Sequence, residues 1–444
     1  MSGAAVRTGS PTPTGFGARL RALRVSAGLT QTDLAGDRFS KEYVSQMERG
    51  KTRPTYDTVA WIAARLGVDP AFLLNGVATD TRARIEAALT RAEALTEANE
   101  TEDALRAFET VRPDIAQTGS DELQVRSLVG HARALVRSGS VRDAHELLLD
   151  ARALVEGPGF SDVERAEVLF RLGVCRYTLA SVSTAIGLLD EALALAEGSG
   201  LPCDALRADI LQWRSACRRR QRDFEAARED VELALELAGA TDDRRTLANS
   251  FFQASLVAER TGHWILARTY AQRAKALYEE LDDERAVGRL TLNLGGLHHL
   301  LGRPVEAVEH LKLAFALAVE AGSQADAAQA VGSLGTVYLR LEDYPSAEEH
   351  ARKALELLDG REDFLDEIGQ SQLVLGRALL ELGRLDEAEG CFRAADATFE
   401  QYESVSHRAG AWVALGDLAG RRGDDREAAR HYRNAAEALQ DIRF

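Results

Sequence analysis

Aromatic side chains make up only 6% of the 444 residues, which excludes a core built mainly from large rings. Ala, Leu, Arg and Glu dominate instead, the composition of packed amphipathic helices. No run of alternating β-branched residues is long enough to argue for a sheet. The four cysteines, Cys175, Cys203, Cys217 and Cys391, are scattered. They form no close-spaced pair suited to metal or redox chemistry, and reduced, buried thiols in a cytoplasmic protein are expected. No apolar stretch reaches the roughly 20 residues that span a bilayer, and the N-terminus lacks the apolar core of a signal peptide. A cytoplasmic chain with no membrane partner follows as the expectation. A Gly-rich phosphate loop and a pair of carboxylates framed by a base are also missing. The adjacent His298 and His299 point to different sides of a helix and cannot easily share a metal. No catalytic residue, metal or cofactor is therefore expected.

What is present is a charge asymmetry. The chain carries a net charge of −16, yet residues 1–78 hold 10 basic against 6 acidic side chains and the remainder 44 against 64. An acidic body repels DNA, so any nucleic-acid contact should fall to the small basic head.

A period runs through the body. Ala92, Ala132, Gly173, Ser215, Ser255, Gly295, Gly335, Gly376 and Gly416 are each followed by Ala twelve positions later. Seven further on comes another small residue, from Val111 to Ala435, and successive starts lie 40 to 42 residues apart. A period held that long marks a stacked array in which each helix pair buries its apolar face against its neighbours. Small side chains at fixed offsets let two helices approach closely where they cross.

The head reads as five short helices. Residues 1–15, rich in Gly, Ser, Thr and Pro, are expected to form a disordered tail. From Phe16, apolar residues recur at helical spacing until Gly28. Thr30 then caps Gln31 to Ala35, Ser40 caps Lys41–Arg49, and Gly50 with Pro54 forces a break. Thr55 opens a fourth helix closed by Gly67, and Asp69-Pro70 opens a last turn. The stretch LTQTDLAGDRFSKEYVSQMERGKTRPTYDTVAWIAARLGVDPAFLL resembles the lambda-repressor-like, Xre-type helix-turn-helix over residues 16–76. That resemblance implies that Ser40–Arg49 is the recognition helix. Lys41, Glu42 and Gln46 would then meet base edges in the major groove. Gln31, Ser40, Ser45, Lys51, Arg53 and Thr55 would hold backbone phosphates, which fix register without reading sequence. The turn Gly36-Asp37-Arg38-Phe39 is one residue shorter than the family's and its glycine comes early, so helix 2 is expected to end sooner.

The small-residue offsets resemble tetratricopeptide repeats over residues 81–444, with units of about 40 residues. The fold class expected is all-α: a five-helix head, then a right-handed α-solenoid of about nine TPR-like helix pairs. In such a solenoid the first helix of each pair, helix A, faces a concave groove. Arg171, Tyr177, Trp213, Arg220, Asn249, Phe252, Gln253, Arg260, Arg289, Asn293, Gln329, Ser333 and Arg340 fall on that inner wall. Amides there suit a peptide backbone, Arg suits a carboxylate, and Trp213 with Phe252 offers an apolar anchor. A structural account competes for the arginines. Arg137, Arg220, Arg260, Arg340 and Arg421 all occupy the last turn of a helix A, where the helix dipole favours a cation with no ligand present.

A helix-turn-helix head on a tetratricopeptide body resembles the RRNPP group of peptide-sensing regulators. The resemblance implies a homodimer that binds a palindromic DNA operator and takes a short peptide in its groove. A protein or a small metabolite in the groove fits the same layout. A protein-interaction scaffold whose head also docks a protein is the alternative from another class. The last apolar face, Ala435, Ala438, Leu439 and Ile442, is expected to be covered by a second subunit.

Overall fold

The computed structural model describes residues 15–52, 54–76, 79–361, 364–401 and 404–440, and among them there is no strand. The head is α1 (Phe16–Ser26), α2 (Gln31–Ala35), α3 (Lys41–Glu48), α4 (Tyr56–Leu66) and α5 (Pro70–Asn75). The body begins with α6 (Thr79–Glu97), α7 (Thr101–Thr118), α8 (Asp121–Ser138), α9 (Val141–Val155), α10 (Asp162–Thr178) and α11 (Val182–Gly198). It continues with α12 (Asp204–Arg220), α13 (Phe224–Gly239), α14 (Arg244–Arg260), α15 (Trp264–Glu280), α16 (Glu284–Leu300) and α17 (Pro304–Glu320). The last six are α18 (Gln324–Arg340), α19 (Tyr344–Leu357), α20 (Leu365–Glu381), α21 (Leu385–Gln401), α22 (Val405–Arg422) and α23 (Asp425–Gln440). In sequence, α6 to α23 are nine consecutive A–B pairs. The residues divide into two compact units, one ending at Gln221 and one starting at Arg222.

The head's helices start where short polar side chains can answer orphan N–H groups. Thr30 and Asp33 form a reciprocal capping box on α2, while Ser40, Thr55 and Asp69 cap α3, α4 and α5. Leu20, Leu34, Val44, Met47, Val59, Ile62 and Leu73 are fully buried and form one core. Two close approaches fix the head's geometry. A Cβ on Gly17 would lie 2.5 Å from the Met47 carbonyl oxygen, so α1 seats directly on the end of α3. A Cβ on Gly76, whose φ is +81°, would lie 2.8 Å from the Thr118 carbonyl at the end of α7. The buried Arg19 braces this joint: Nε donates to the Leu73 carbonyl at 3.2 Å and Nη2 to that of Leu74. Head and first repeat are thus in backbone contact within the first unit.

The small residues of the body sit where helices cross. Ala144, Ala185, Ala227, Ala267, Ala307, Ala347 and Ala388 are fully buried. An added Cβ on Gly295 would meet Leu311 at 2.6 Å, on Gly376 the Phe392 ring at 2.5 Å, and on Gly416 the Tyr432 ring at 2.5 Å. The partner stands sixteen residues further on each time, one turn past the periodic Ala. The extra length over a shorter repeat is taken up chiefly by the helices, most of which are 17 residues long.

The turn between A and B repeats too. Asn99, Gly139, Ala180, Arg222, Gly262, Gly302, Glu342, Gly383 and Gly423, each seven residues past the small residue, all have positive φ. That turn needs a left-handed residue. Only five of the nine positions are glycine, which hid the pattern from a reading of residue types.

Candidate functional site

Helix α3 is two-faced. Val44 and Met47 are fully buried against the head core, and Lys41, Glu42 and Gln46 are exposed on the other side. Among the described residues, the Lys41 and Glu42 side chains make no hydrogen bond or ion pair. Lys51 is exposed beyond the helix, and its backbone N–H donates to the Gln46 carbonyl at 2.9 Å. Gln46 accepts from Thr52 Oγ1 at 3.1 Å, which steadies the side chain at the surface. Ser40 and Thr55 spend their oxygens on caps, accepting from Tyr43 N and Thr58 N. Ser45 is half-buried and accepts from Arg49 Nη2 at 2.7 Å. Arg53 lies outside the described residues.

Gln31 is engaged differently from the expectation of a free phosphate contact. Its Nε2 donates to Glu48 Oε2 at 2.7 Å, and Glu48 also receives Arg24 Nε at 2.5 Å and Nη2 at 3.2 Å. One carboxylate, 4% exposed, therefore ties α1, α2 and α3 together. Burial pushes the Glu48 carboxyl up, but the bonds from Arg24 and Gln31 outweigh it and hold it below the usual carboxylate range.

Helix α2 ends early, as expected from the short turn, with Gly36 at φ +54°. Phe39 then hooks the turn onto the core. It packs edge-on to Trp61 at 5.2 Å and against Tyr43 at 5.5 Å, and Arg65 Nε donates to the Asp33 carbonyl at 3.1 Å. The tilt of α3 is set by these rings rather than by the family's usual glycine.

On the body the structure answers many of the expected groove side chains internally. Asn293 Oδ1 accepts from Ser255 Oγ at 3.1 Å and its Nδ2 donates to Glu259 at 3.1 Å, so each end is already partly used within the fold. Asn249 accepts from the buried Tyr278 hydroxyl. Arg171 pairs with Glu167 on its own helix at 2.7 Å and lies over Phe170. Satisfying a half-buried polar group at home is the cheaper outcome where neighbours are in reach.

The last-turn arginines follow one rule. Arg137 Nη1 donates to the Thr96 carbonyl at 2.6 Å, Arg220 Nη1 to that of Tyr177 at 3.5 Å, and Arg340 Nη1 to that of His299 at 3.2 Å. Each cation therefore reaches the last turn of the preceding helix A, where the dipole is negative. The structural account of Arg220 and Arg340 holds for one donor each and leaves their other donors over.

Two groupings bring expected residues together. In the first unit, Trp213 stands edge-on to Tyr177 at 5.5 Å and Arg220 lies over the Tyr177 ring. In the second, Arg340 borders an open hollow of about 950 Å³ that also takes in His299, Thr336, Gln370, Arg377 and Arg421. These residues come from the A helices α16, α18, α20 and α22, and Tyr344 of α19 and Tyr432 of α23 also line the hollow. Burial, with Arg340 nearby, holds the His299 imidazole below its ordinary value. Arg260, Arg289 and Gln329 are exposed, Ser333 and Phe252 are half-buried, and Gln253 buries a carbonyl oxygen that has no partner.

Comparison with known proteins agrees with this division. Residues 16–73 match a helix-turn-helix domain, and residues 129–201, 287–359 and 333–403 match tetratricopeptide repeats. The chain is a helix-turn-helix domain followed by tetratricopeptide repeats. Its head is 42% identical over 60 residues to the HTH-type transcriptional regulator DdrOP3 of Deinococcus deserti. That match takes in 13% of this chain and 46% of the regulator. In fold, the chain is similar to a Rap protein solved with Competence and Sporulation Factor, at a TM-score of 0.61 and 16% identity. That likeness covers 80% of this chain and 98% of the other. The apo quorum sensor NprR of B. thuringiensis is similar at a TM-score of 0.60 and 13% identity, over 80% of this chain and 99% of the other. No described helix is long and apolar enough to cross a membrane.

Proposed function

We propose that this chain is a sequence-specific DNA-binding transcriptional regulator. In this reading Lys41, Glu42 and Gln46 read base edges, while Ser40, Ser45, Lys51, Arg53 and Thr55 lie along the phosphates. The observation that carries it is the exposed face of α3, where Lys41 and Glu42 are charged, unpaired and unnecessary for packing. A side chain that serves neither the core nor a neighbour is spare for a groove.

The repeat body, in the same reading, takes a short signalling peptide on the walls of its A helices and acts as a homodimer in the cytoplasm. Two heads must reach major grooves about 34 Å apart on one face of DNA. The Gly76–Thr118 contact supports a stiff attachment, through which a change in the repeats would reach the head. A near-complete switch needs about 5.5 kcal/mol of difference in ligand affinity between two states of the body, within reach of several charge-assisted hydrogen bonds.

The test is selection of a binding sequence from a random duplex pool by full-length protein, followed by mobility shifts of Lys41→Ala and Gln46→Ala. Weaker, less selective binding by both variants is expected. No DNA affinity at low salt, with a protein partner still captured by the body, would favour the scaffold instead.

A further inference from the structure

We propose that an exposed apolar row along the A–B turns of α14 to α21 is the surface through which two copies of this chain associate, the two rows lying antiparallel about a two-fold axis. The inference rests on the homodimer reading above and adds the face that the copies share.

The row is a break in the repeat. Ten residues after the periodic small residue, where helix B starts, six pairs carry Glu102, Arg142, Ser183, Glu225, Asp386 and Arg426. Three successive pairs carry Ile265, Val305 and Pro345 instead. Ile265 is 67% exposed and Val305 64%. Trp264 and Leu266, on either side of Ile265, are exposed too, as are Leu341 and Leu382, which close α18 and α20. All of them lie in the second compact unit. Turn positions in a stack recur at a fixed step, so these side chains form one line along an edge. Single apolar residues on a surface need no partner, whereas a contiguous row of them does. The fold does not ask for it. The same turn forms in the pairs that carry Glu225 or Asp386, so neither the cap nor the helix crossing requires an apolar side chain there.

Charge at the two ends of the row selects a second copy as the occupant. At the N-terminal end Arg260 is exposed and its side chain bonds to no described residue, and Arg303, two residues before Val305, is in the same state. At the C-terminal end Asp386 is fully exposed and accepts from Arg422 on Oδ1 at 2.6 Å, which leaves Oδ2 over. A two-fold contact sets one surface against itself, so that each residue must suit the one it meets in both directions. Reversed end for end, the row suits itself. Ile265 meets Leu382, Val305 meets Leu341, and Arg260 of one copy meets Asp386 of the other. With the rows parallel, arginine would face arginine and aspartate aspartate, contacts that cost affinity.

Sedimentation of the full-length protein over a series of concentrations measures the association. Wild type is expected to run as a dimer. Ile265→Glu/Val305→Glu is expected to run as a monomer, with a dissociation constant raised about thirtyfold or more, the size of effect seen at buried interface anchors. Both side chains are exposed within one copy, so the far-ultraviolet circular dichroism of the variant should match wild type and separate lost association from lost folding. Arg260→Glu is expected to weaken the dimer about threefold to tenfold, and adding Asp386→Lys to bring it back toward wild type. A dimer left intact by Ile265→Glu/Val305→Glu would overturn this surface and leave the homodimer reading standing. A charge swap that restores nothing would overturn the antiparallel pairing. A wild type that stays monomeric at every concentration would overturn both the surface and the homodimer.

Discussion

Helix α3 of the head and the repeats of the body expose polar side chains in opposite states. On α3, Lys41 and Glu42 are unpaired. On the body, Arg126 binds Glu93 through two bonds at 2.8 and 2.6 Å, Arg384 reaches both Glu348 and Glu387, and Arg422 reaches both Glu389 and Asp386. An array grows by stacking, so many exposed side chains of one repeat have a neighbouring repeat within reach, and much of the charge is consumed in holding the stack. The head is small and the outer face of α3 is exposed, so that face keeps its charges for something outside. A charged residue on the body therefore says little about ligands until its neighbours are counted, whereas one on α3 says a good deal.

That contrast can be broken most sharply at Glu48, a head charge used as the body uses its own. Removing it in Glu48→Ala leaves the half-buried Arg24 uncompensated and should cost about 3 kcal/mol or more of head stability, read by thermal or chemical unfolding. A loss under about 1 kcal/mol would mean that the three-helix tie is cosmetic. For the body the matching lesion is steric. Gly376→Ala should cost about 1–3 kcal/mol, because the Phe392 ring stands where the methyl would go and is buried on all sides. Unchanged stability there would show that the crossing is looser than its geometry implies.

The head's spare charges should behave in the reverse manner. Lys41→Ala and Gln46→Ala are expected to leave unfolding unchanged while each weakens binding to the selected duplex by about 1–3 kcal/mol, measured at fixed salt. If either variant unfolds early, its side chain belongs to the fold after all.

Acid should separate the regions as well, since all nine histidines lie in the body. His131, His145, His298, His299 and His310 are held below the ordinary value of 6.5, in each case chiefly by burial. Above pH 6.5 both folded and unfolded chains keep them neutral, and their contribution is complete. As pH falls below 6.5 the unfolded chain takes up protons first, so stability drops. Circular-dichroism melting at pH 7 and pH 5 should show the lower midpoint at pH 5. A midpoint that rises on acidification would contradict the burial of these rings.

The smallest effect lies in the A–B turns. Glu342 sits at φ +61°, so Glu342→Gly should relieve left-handed strain worth about 1 kcal/mol, partly offset by added freedom in the unfolded chain. A small gain in melting temperature is expected, and a clear loss would point to an unseen role for that carboxylate.

Much of this was legible beforehand. Thr30, Ser40 and Thr55 announced their helices because a cap is a local hydrogen bond, settled within three residues. The small residues announced the crossings because every repeat needs the same close approach, and nine copies average out local noise. Less legible was what a side chain does once it has a neighbour. Asn249 and Asn293 were expected to face a peptide, yet Tyr278, Ser255 and Glu259 take them up. Gln31 was expected on phosphate, and Glu48 holds it. Gly17 carried no signal at all, since its requirement comes from a carbonyl thirty residues away.

By itself the sequence determined the number and period of the helices, the split between a basic head and an acidic body, and which face of α3 is spare. Those follow from local propensity, capping and periodicity, interactions that act within a turn or repeat exactly as often as the residues do. Only the tertiary structure decided which charges remain unspent. It bent Arg137, Arg220 and Arg340 onto the preceding helix A, closed Glu381 and Asp417 with Arg421 and Tyr432, and left Arg377 with no bond to a described residue. Pairing depends on which side chains converge in space, and residues some forty positions apart along the chain meet only once the repeats have stacked.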